Sequence, residues 1–321
     1  MRYKLPSSVR DSLAKKESRL HHLLWHAIRD SWHDFSESER ETMQQAHPGW
    51  VPNIPRFTRV TPTSSNPNGI EINWDAGESF LYMHRRMIQD VNVQLLALGE
   101  SSLVPWPSIP ELDDPLYPVP NRRANGPDND PKSDAHLEIM KARAAWVRDP
   151  ATLQNNSLAR IGAYIESAIH DFMHGRWEEL PDVMDDFPEL TPTNVNPEIE
   201  DKFNHPSVDY LGHPYSSHVN SVFWKLHGWI DEIIDMWRTA SGVDTFEWTD
   251  TWSGDYPVRT QPEFVSGIQP LVNLERMHNR FSSGHHSWDT MLEVFRTINS
   301  FNKCHASFDY IKEMNIPIPE L

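Results

Sequence analysis

Residues 220–237 read NSVFWKLHGWIDEIIDMW. Apolar residues recur every three or four positions, and the spacing predicts an amphipathic helix over residues 218–239. In its middle stands one histidine, His227, with Asp231 one turn later. A lone histidine on an apolar helix face is more often a satisfied core residue than a ligand. Here an acid at i+4 offers a partner for the imidazole N–H, as carboxylates do behind metal-bound histidines. The run FWxxHxxID is long enough to be specific.

The flanking sequence is helical as well. Residues 12–35 place Leu13, Leu20, Leu24, Ala27, Ile28 and Trp32 near one stripe. Ser36 opens a capping-box pattern with Glu39, starting a helix that runs to about Ala46. Further helices are expected over residues 78–98, 134–148, 156–177 and 287–301. Strand signals are short, at residues 69–74 and 244–249. Residues 105–131 carry eight prolines and cannot be a helix interior or a central strand. They read as a long ordered excursion, at about 103–133, between two helical halves of a single domain. A second break, rich in Pro, Asn and Asp, covers residues 180–214. The fold class is mainly α: a helical bundle with long irregular connections and few short strands.

Composition narrows the function. The 321 residues carry a formal charge of −17, which argues against a nucleic-acid binder. No apolar run approaches the roughly 18 residues of a membrane span. The basic N-terminus lacks an apolar core, so no secretory signal is expected and a cytoplasmic location is. A single cysteine, Cys304, excludes a disulfide framework and a thiolate zinc finger. The 17 histidines are the excess to explain.

His170 and His174 stand at i, i+4 in IHDFMHGRW, on one side of a helix and near enough to hold one ion. Such a pair is a weak signal, since 17 histidines supply pairs by chance. His22 and His26 form another, for which a partly exposed first helix is the favoured reading. His84 lies in FLYMHRRM on the third helix, followed by two arginines.

The order of these segments resembles the tyrosinase/hemocyanin (type-3 copper) family. FLYMHRRM is similar to that family's A-site helix motif FLPWHRR, IHDFMHGRW to its first B-site helix HNxxHxxxGG, and residues 220–237 to its second, DPxFWxxHxxIDxLW. The resemblance covers about half the chain, residues 80–237. It implies a four-helix core gripping the metals, His170, His174 and His227 as B-site ligands, and Asp231 as the acid orienting a ligand imidazole.

The A site departs from the pattern. His84 matches its third ligand, but the second, nine residues earlier, is Asp75 here. The first would have to be His47, by position, or His22/His26, by helical context. The glycine pair after H-x3-H is also missing. An intact B site beside a dismantled A site resembles the layout of a mononuclear zinc enzyme, three histidines and an open position. Within the family this is most similar to the fungal zinc-dependent, hemocyanin-like cyclopenases of quinolone-alkaloid pathways. These contract a benzodiazepinedione epoxide of cyclopenin type to a hydroxyquinolone of viridicatin type, without redox chemistry.

The expectation is therefore a Zn²⁺ enzyme acting on a small aromatic-bearing molecule, with no nucleic-acid or membrane partner and room for a homo-oligomer. Glu166, one turn before His170, is the first candidate for a base, beside its plain reading as a surface carboxylate pairing with Arg160 or a lysine. His84 with Asp75 would form an acid/base pair or simply fill the second metal's place. Trp177, Phe223 and Trp224 would wall an aryl group or merely pack. Two alternatives stay open: a dicopper phenol or catechol oxidase, with copper in a rebuilt A site, and a non-catalytic hemocyanin-like protein. His278, His285 and His286 have no assigned role.

Overall fold

The computed structural model describes residues 4–179, 201–252, 254 and 286–303. The helices are α1 (Ser7–Leu13), α2 (Lys16–Ser31), α3 (Glu37–Ala46), α4 (Gly77–Ala97), α5 (Asp134–Arg148), α6 (Pro150–Asn155), α7 (Leu158–Ile165), α8 (Asp171–Trp177), α9 (Ser221–Ser241) and α10 (Trp288–Ser300). One wide π-turn, Glu166–His170, joins α7 to α8. The class is mainly α, as the periodicity predicts. His278, His285 and Cys304 lie outside the described residues.

Local chemistry sets the boundaries. Ser36 caps α3 in a reciprocal capping box with Glu39. Ser133, Asp149, Ser157, Asn220 and Ser287 each accept a backbone N–H at the start of a helix. Gly242, at φ 66°, closes α9 in the left-handed region. The helix expected over residues 12–35 is two helices, because Lys15 takes an extended backbone and Arg19 Nε claims the carbonyl of Ala14. The short α6 was not expected.

The small sheet corrects one strand. Phe57–Arg59 (β1) pairs antiparallel with Ile70–Ile72 (β2), Phe57 opposite Ile72. Residues 244–249 form no strand: the backbone N–H and hydroxyl of Thr249 go instead to the Glu78 carboxylate at the start of α4. The Pro-rich stretch has no helix or strand, but it is packed. Trp177 Nε1 donates to Tyr117 O at 3.0 Å, and Trp106 lies 4.7 Å from Trp177, ring to ring.

Two features place the centre of the molecule. On α4 and α7, Gly77 and Gly162 meet backbone to backbone. A Cβ on Gly77 would lie 1.8 Å from the nitrogen of Ala163, so only glycine fits. Helix α2 is buried on every side, from Ser18 to Ser31. Helix α9 packs on α4 and α8. The aromatic and aliphatic side chains of α1–α10 form one main core around these helices. Among the described residues no helix is long and apolar enough to cross a membrane.

Candidate metal centre

Six histidines from four helices converge in this core. His22 and His26 come from α2 and His84 from α4. His170 ends the π-turn, His174 lies on α8 and His227 on α9. None is more than 2 % exposed. Neighbouring ring centroids lie 4.4–6.2 Å apart: His22–His26 4.8, His22–His84 6.0, His26–His170 6.2, His84–His227 4.4, His170–His174 4.4 and His170–His227 5.0 Å. Two groups bring one nitrogen from each member within 4.8 Å of the others: His22, His26 and His84, and His84, His170 and His227. His84 belongs to both. His174 stands beside the second group, its ring 5.4 Å from that of His227.

The chain fixes the tautomers. Nδ1 of His84 and of His227 each meets the carbonyl four residues back, Phe80 and Phe223, at 2.8 Å. His22 Nδ1 meets Pro214 O at 2.6 Å and His174 Nδ1 meets Leu211 O at 2.7 Å. A carbonyl only accepts, so these four nitrogens carry the proton and Nε2 keeps a lone pair. Burial holds all six imidazoles neutral at pH 7. His22 is lowered to about 4 and His174 to about 3. His26, His84, His170 and His227 are held well below the usual imidazole value, by burial first and then by neighbouring histidines.

This arrangement fits a metal. The Nε2 atoms of His22 and His84 are buried without a hydrogen-bond partner, and an unmet buried polar atom costs about 1–3 kcal/mol. His170 Nε2 lies 3.1 Å from His227 Nε2. With the lone pair of His227 on that side, the contact is met either by an N–H of the neutral His170 ring or by a metal ion between the two nitrogens. Neutral imidazoles suit zinc and copper alike.

Beneath the histidines lies a network of five buried charges. Arg56 donates to Asp30 and to Asp171, both at 2.6 Å. Arg29 donates to both oxygens of Glu166, at 2.5 and 3.2 Å. Asp171 Oδ1 is 2.8 Å from His170 Nδ1. Burial, against the pull of Arg56, pushes Asp171 up to about 8.

Several sequence-based assignments need correction. Asp75 is exposed on the turn before α4, its N–H bonded to Asn73 at 3.2 Å; it is not beside His84. Glu166 is neither a surface carboxylate nor placed as a free base: two arginines hold it in the core. Asp231 does not orient His227. It pairs with Arg85 at 2.6 Å, because a helical side chain leans toward its own N-terminus, where the Phe223 carbonyl receives the ring. The acid that does meet an imidazole of the cluster is Asp171, next to His170 in sequence. His47 bonds Thr297 at 2.9 Å and stands in neither group. His22 and His26, read as partly exposed, join His84 instead. Their i, i+4 spacing, and their helical context as a candidate for the first A-site ligand, are the signs of this in the sequence.

Phe223 stacks on His227 at 3.6 Å and 19°, and its ring also lies 5.6 Å from His22 and 5.8 Å from His174. It closes one side across both groups. Trp177 and Trp224 are buried, bonded through Nε1 to Tyr117 O and to His218 O, and they pack around the centre without facing it as a pair. Comparison with family models and with curated proteins finds no match to the chain.

Proposed function

We propose that this protein is a metalloenzyme with a two-ion, all-histidine centre of the type-3 copper kind, oxidising small phenolic or catecholic molecules. One observation carries this reading: His22 and His26 stand beside His84, against the group formed by His170, His174 and His227. The argument for a single zinc ion rested on Asp75, which lies outside the cluster. With three histidines on each side, a second ion no longer lacks ligands. Copper there would supply oxygen-dependent oxidation.

The chain's own residues supply the setting. The carbonyls of Phe80, Pro214, Leu211 and Phe223 hold four rings in the tautomer that leaves Nε2 open. Arg56 and Asp171 hold His170. Phe223 and the surrounding core exclude water, and the buried carboxylates offset the positive charge of bound ions. That the six histidines come from α2, α4, the π-turn with α8, and α9 supports a four-helix grip of the family's kind.

A second reading is favoured by the close grouping of His84, His170 and His227 and by the 3.1 Å contact. Three imidazoles around one Zn²⁺ with an open position would polarise a carbonyl or epoxide oxygen. That is the chemistry of a cyclopenase-like ring contraction. Elemental analysis of the untreated protein, with a catechol oxidation assay, separates the two. About two coppers per chain and turnover support the first reading. One zinc, and no catechol oxidation after copper loading, replaces it with the second. A folded chain that takes up neither metal overturns both and leaves the non-catalytic alternative.

A further inference from the structure

Residues 205–220 form a strap of irregular backbone ahead of α9, and they touch both groups of histidines. The carbonyl of Leu211 receives His174 Nδ1 and the carbonyl of Pro214, three residues on, receives His22 Nδ1. The two rings belong to opposite sides of the centre, yet their second nitrogens are fixed by one short piece of chain. His218, from the same strap, lies 4.9 Å from His22, ring to ring, and bonds Leu13 O at 3.1 Å.

A strap whose only regular element is one 3-10 turn, Ser217–Val219, needs something to hold it. Arg19 does so. It lies on α2 one turn before His22, on the same face, and is wholly buried. Its guanidinium makes four hydrogen bonds, all to backbone carbonyls. Nε donates to Ala14 at 2.9 Å, Nη1 to Tyr215 at 3.3 Å, and Nη2 to His205 at 3.0 Å and Val208 at 2.8 Å. Three of the four acceptors lie in the strap, on either side of Leu211 and Pro214. Arg10 adds an outer clamp through Pro206 O at 2.7 Å and Asp209 at 3.2 Å. Within the strap, Ser216 Oγ bonds Tyr210 O and Asn220 Nδ2 bonds Asp209 O, both at 2.8 Å.

We propose that Arg19 is a positioning residue for both halves of the metal centre: by pinning the strap it aims the Leu211 and Pro214 carbonyls at His174 and His22. Rigid forks of this kind suit arginine, whose planar donors meet several acceptors at once, and a lysine cannot replace them. Groups that orient ligand imidazoles typically change metal affinity by about 10–100-fold when lost. None of the hydrogen bonds of Arg19 goes to a histidine of the centre, so its polar hold on the centre passes through the strap. The inference rests on the metal-binding reading above.

The test uses the full chain, stripped of metal and titrated with Cu²⁺ and with Zn²⁺ alone. The variants are Arg19→Met and Arg19→Lys, with Leu153→Ala, a buried α6 side chain outside the strap and the cluster, as a control for destabilisation. The expected result is a roughly 10–100-fold weaker affinity at both sites in Arg19→Met, and a smaller loss at both in Arg19→Lys. The gain in Tm on adding metal should shrink in both, while Leu153→Ala keeps the wild-type affinities and gain. If Arg19→Met does not fold, Arg19→Lys and its metal-dependent Tm gain decide. Wild-type affinity at either site, or equal lowering of the metal-free and metal-loaded Tm, overturns the positioning role. Failure of the wild-type chain to bind either ion overturns the metal reading instead.

Discussion

The two H-x3-H pairs, His22/His26 and His170/His174, have the same spacing and opposite surroundings. His22 and His26 sit on an uninterrupted helix whose other polar residues, Arg19, Arg29 and Asp30, are also buried. His170 and His174 straddle the end of a π-turn, the wider kind of turn that frequently marks functional positions. The extra residue turns the α8 pair relative to α7, so that α7 can pack on α4 while His170 faces inward. The comparison teaches that spacing alone does not identify a ligand pair. What makes a pair a candidate is a third imidazole from another helix and a carbonyl behind at least one ring. Each pair has one ring so held, His22 by Pro214 O and His174 by Leu211 O, and His84 stands in the group of each.

That comparison can be broken most sharply at His84. Because His84 completes the first group and also stands within the second, His84→Ala should lose the ion held with His22 and His26 and weaken the one held with His170, His174 and His227, where His22→Ala or His174→Ala should weaken one side alone; elemental analysis after dialysis distinguishes them. A large effect on stability is expected next at Arg56. It ties Asp30, at the end of the first pair's helix, to Asp171, at the start of the second's. Arg56→Met would leave buried carboxylates without their counter-ion and should cost about 3–5 kcal/mol in urea unfolding. Gly77→Ala, which forces the crossing of α4 and α7 apart, should cost about 1–3 kcal/mol by the same measurement, as overpacking does.

The metal-free protein should also lose stability on acidification. Unfolded histidine takes a proton at a pKa of about 6.5. Folded His22 waits until about 4 and His174 until about 3, because burial opposes the charge. Between those values the unfolded chain binds more protons, so stability falls as pH drops from about 6.5. Asp171, raised to about 8, acts in the opposite direction, but it is outnumbered by the buried histidines. Denaturant midpoints across pH 4–8 would show the trend, and a midpoint that rises toward pH 4 would contradict it. The smallest effects are expected where sequence placed site residues and the structure does not. Asp75→Asn should leave metal content and stability unchanged. Asp231→Asn, which loosens a partly exposed pair with Arg85, should cost about 1 kcal/mol or less and leave the metal in place.

Much of the fold is legible in the chain because helix signals are local. The α5 boundaries, the Ser36 cap and the amphipathic α9 all follow from residues within a turn or two of one another. The convergence of His84, His170, His174 and His227 was legible through motifs carried on three such helices. The role of α2 was not. Its histidines, arginines and aspartate lower its hydropathy, which reads as exposure, yet each polar side chain is buried against residues far away in the chain. Arg29 meets Glu166 and His22 meets Pro214. The same distance hid Asp171: its adjacency to His170 was visible, but the arginine that holds it, Arg56, is 115 residues earlier. Asp75 misled for the complementary reason. It stands at the right count from His84, but the helix begins only at Gly77, so helical periodicity does not extend to it.

The glycine contact between α4 and α7 has a consequence for the chemistry. Gly77 lies seven residues before His84, and Gly162 eight before His170, about two helical turns in each case. The helices therefore meet with no side chain between them a short, stiff distance from two of the imidazoles. The gap between His84 and His170 is set by the thickness of bare backbone, as a caliper is set at its pivot. Methyl groups added at the pivot would open the jaws, and the size of ion or ion pair the histidines can grip would change without any ligand being altered.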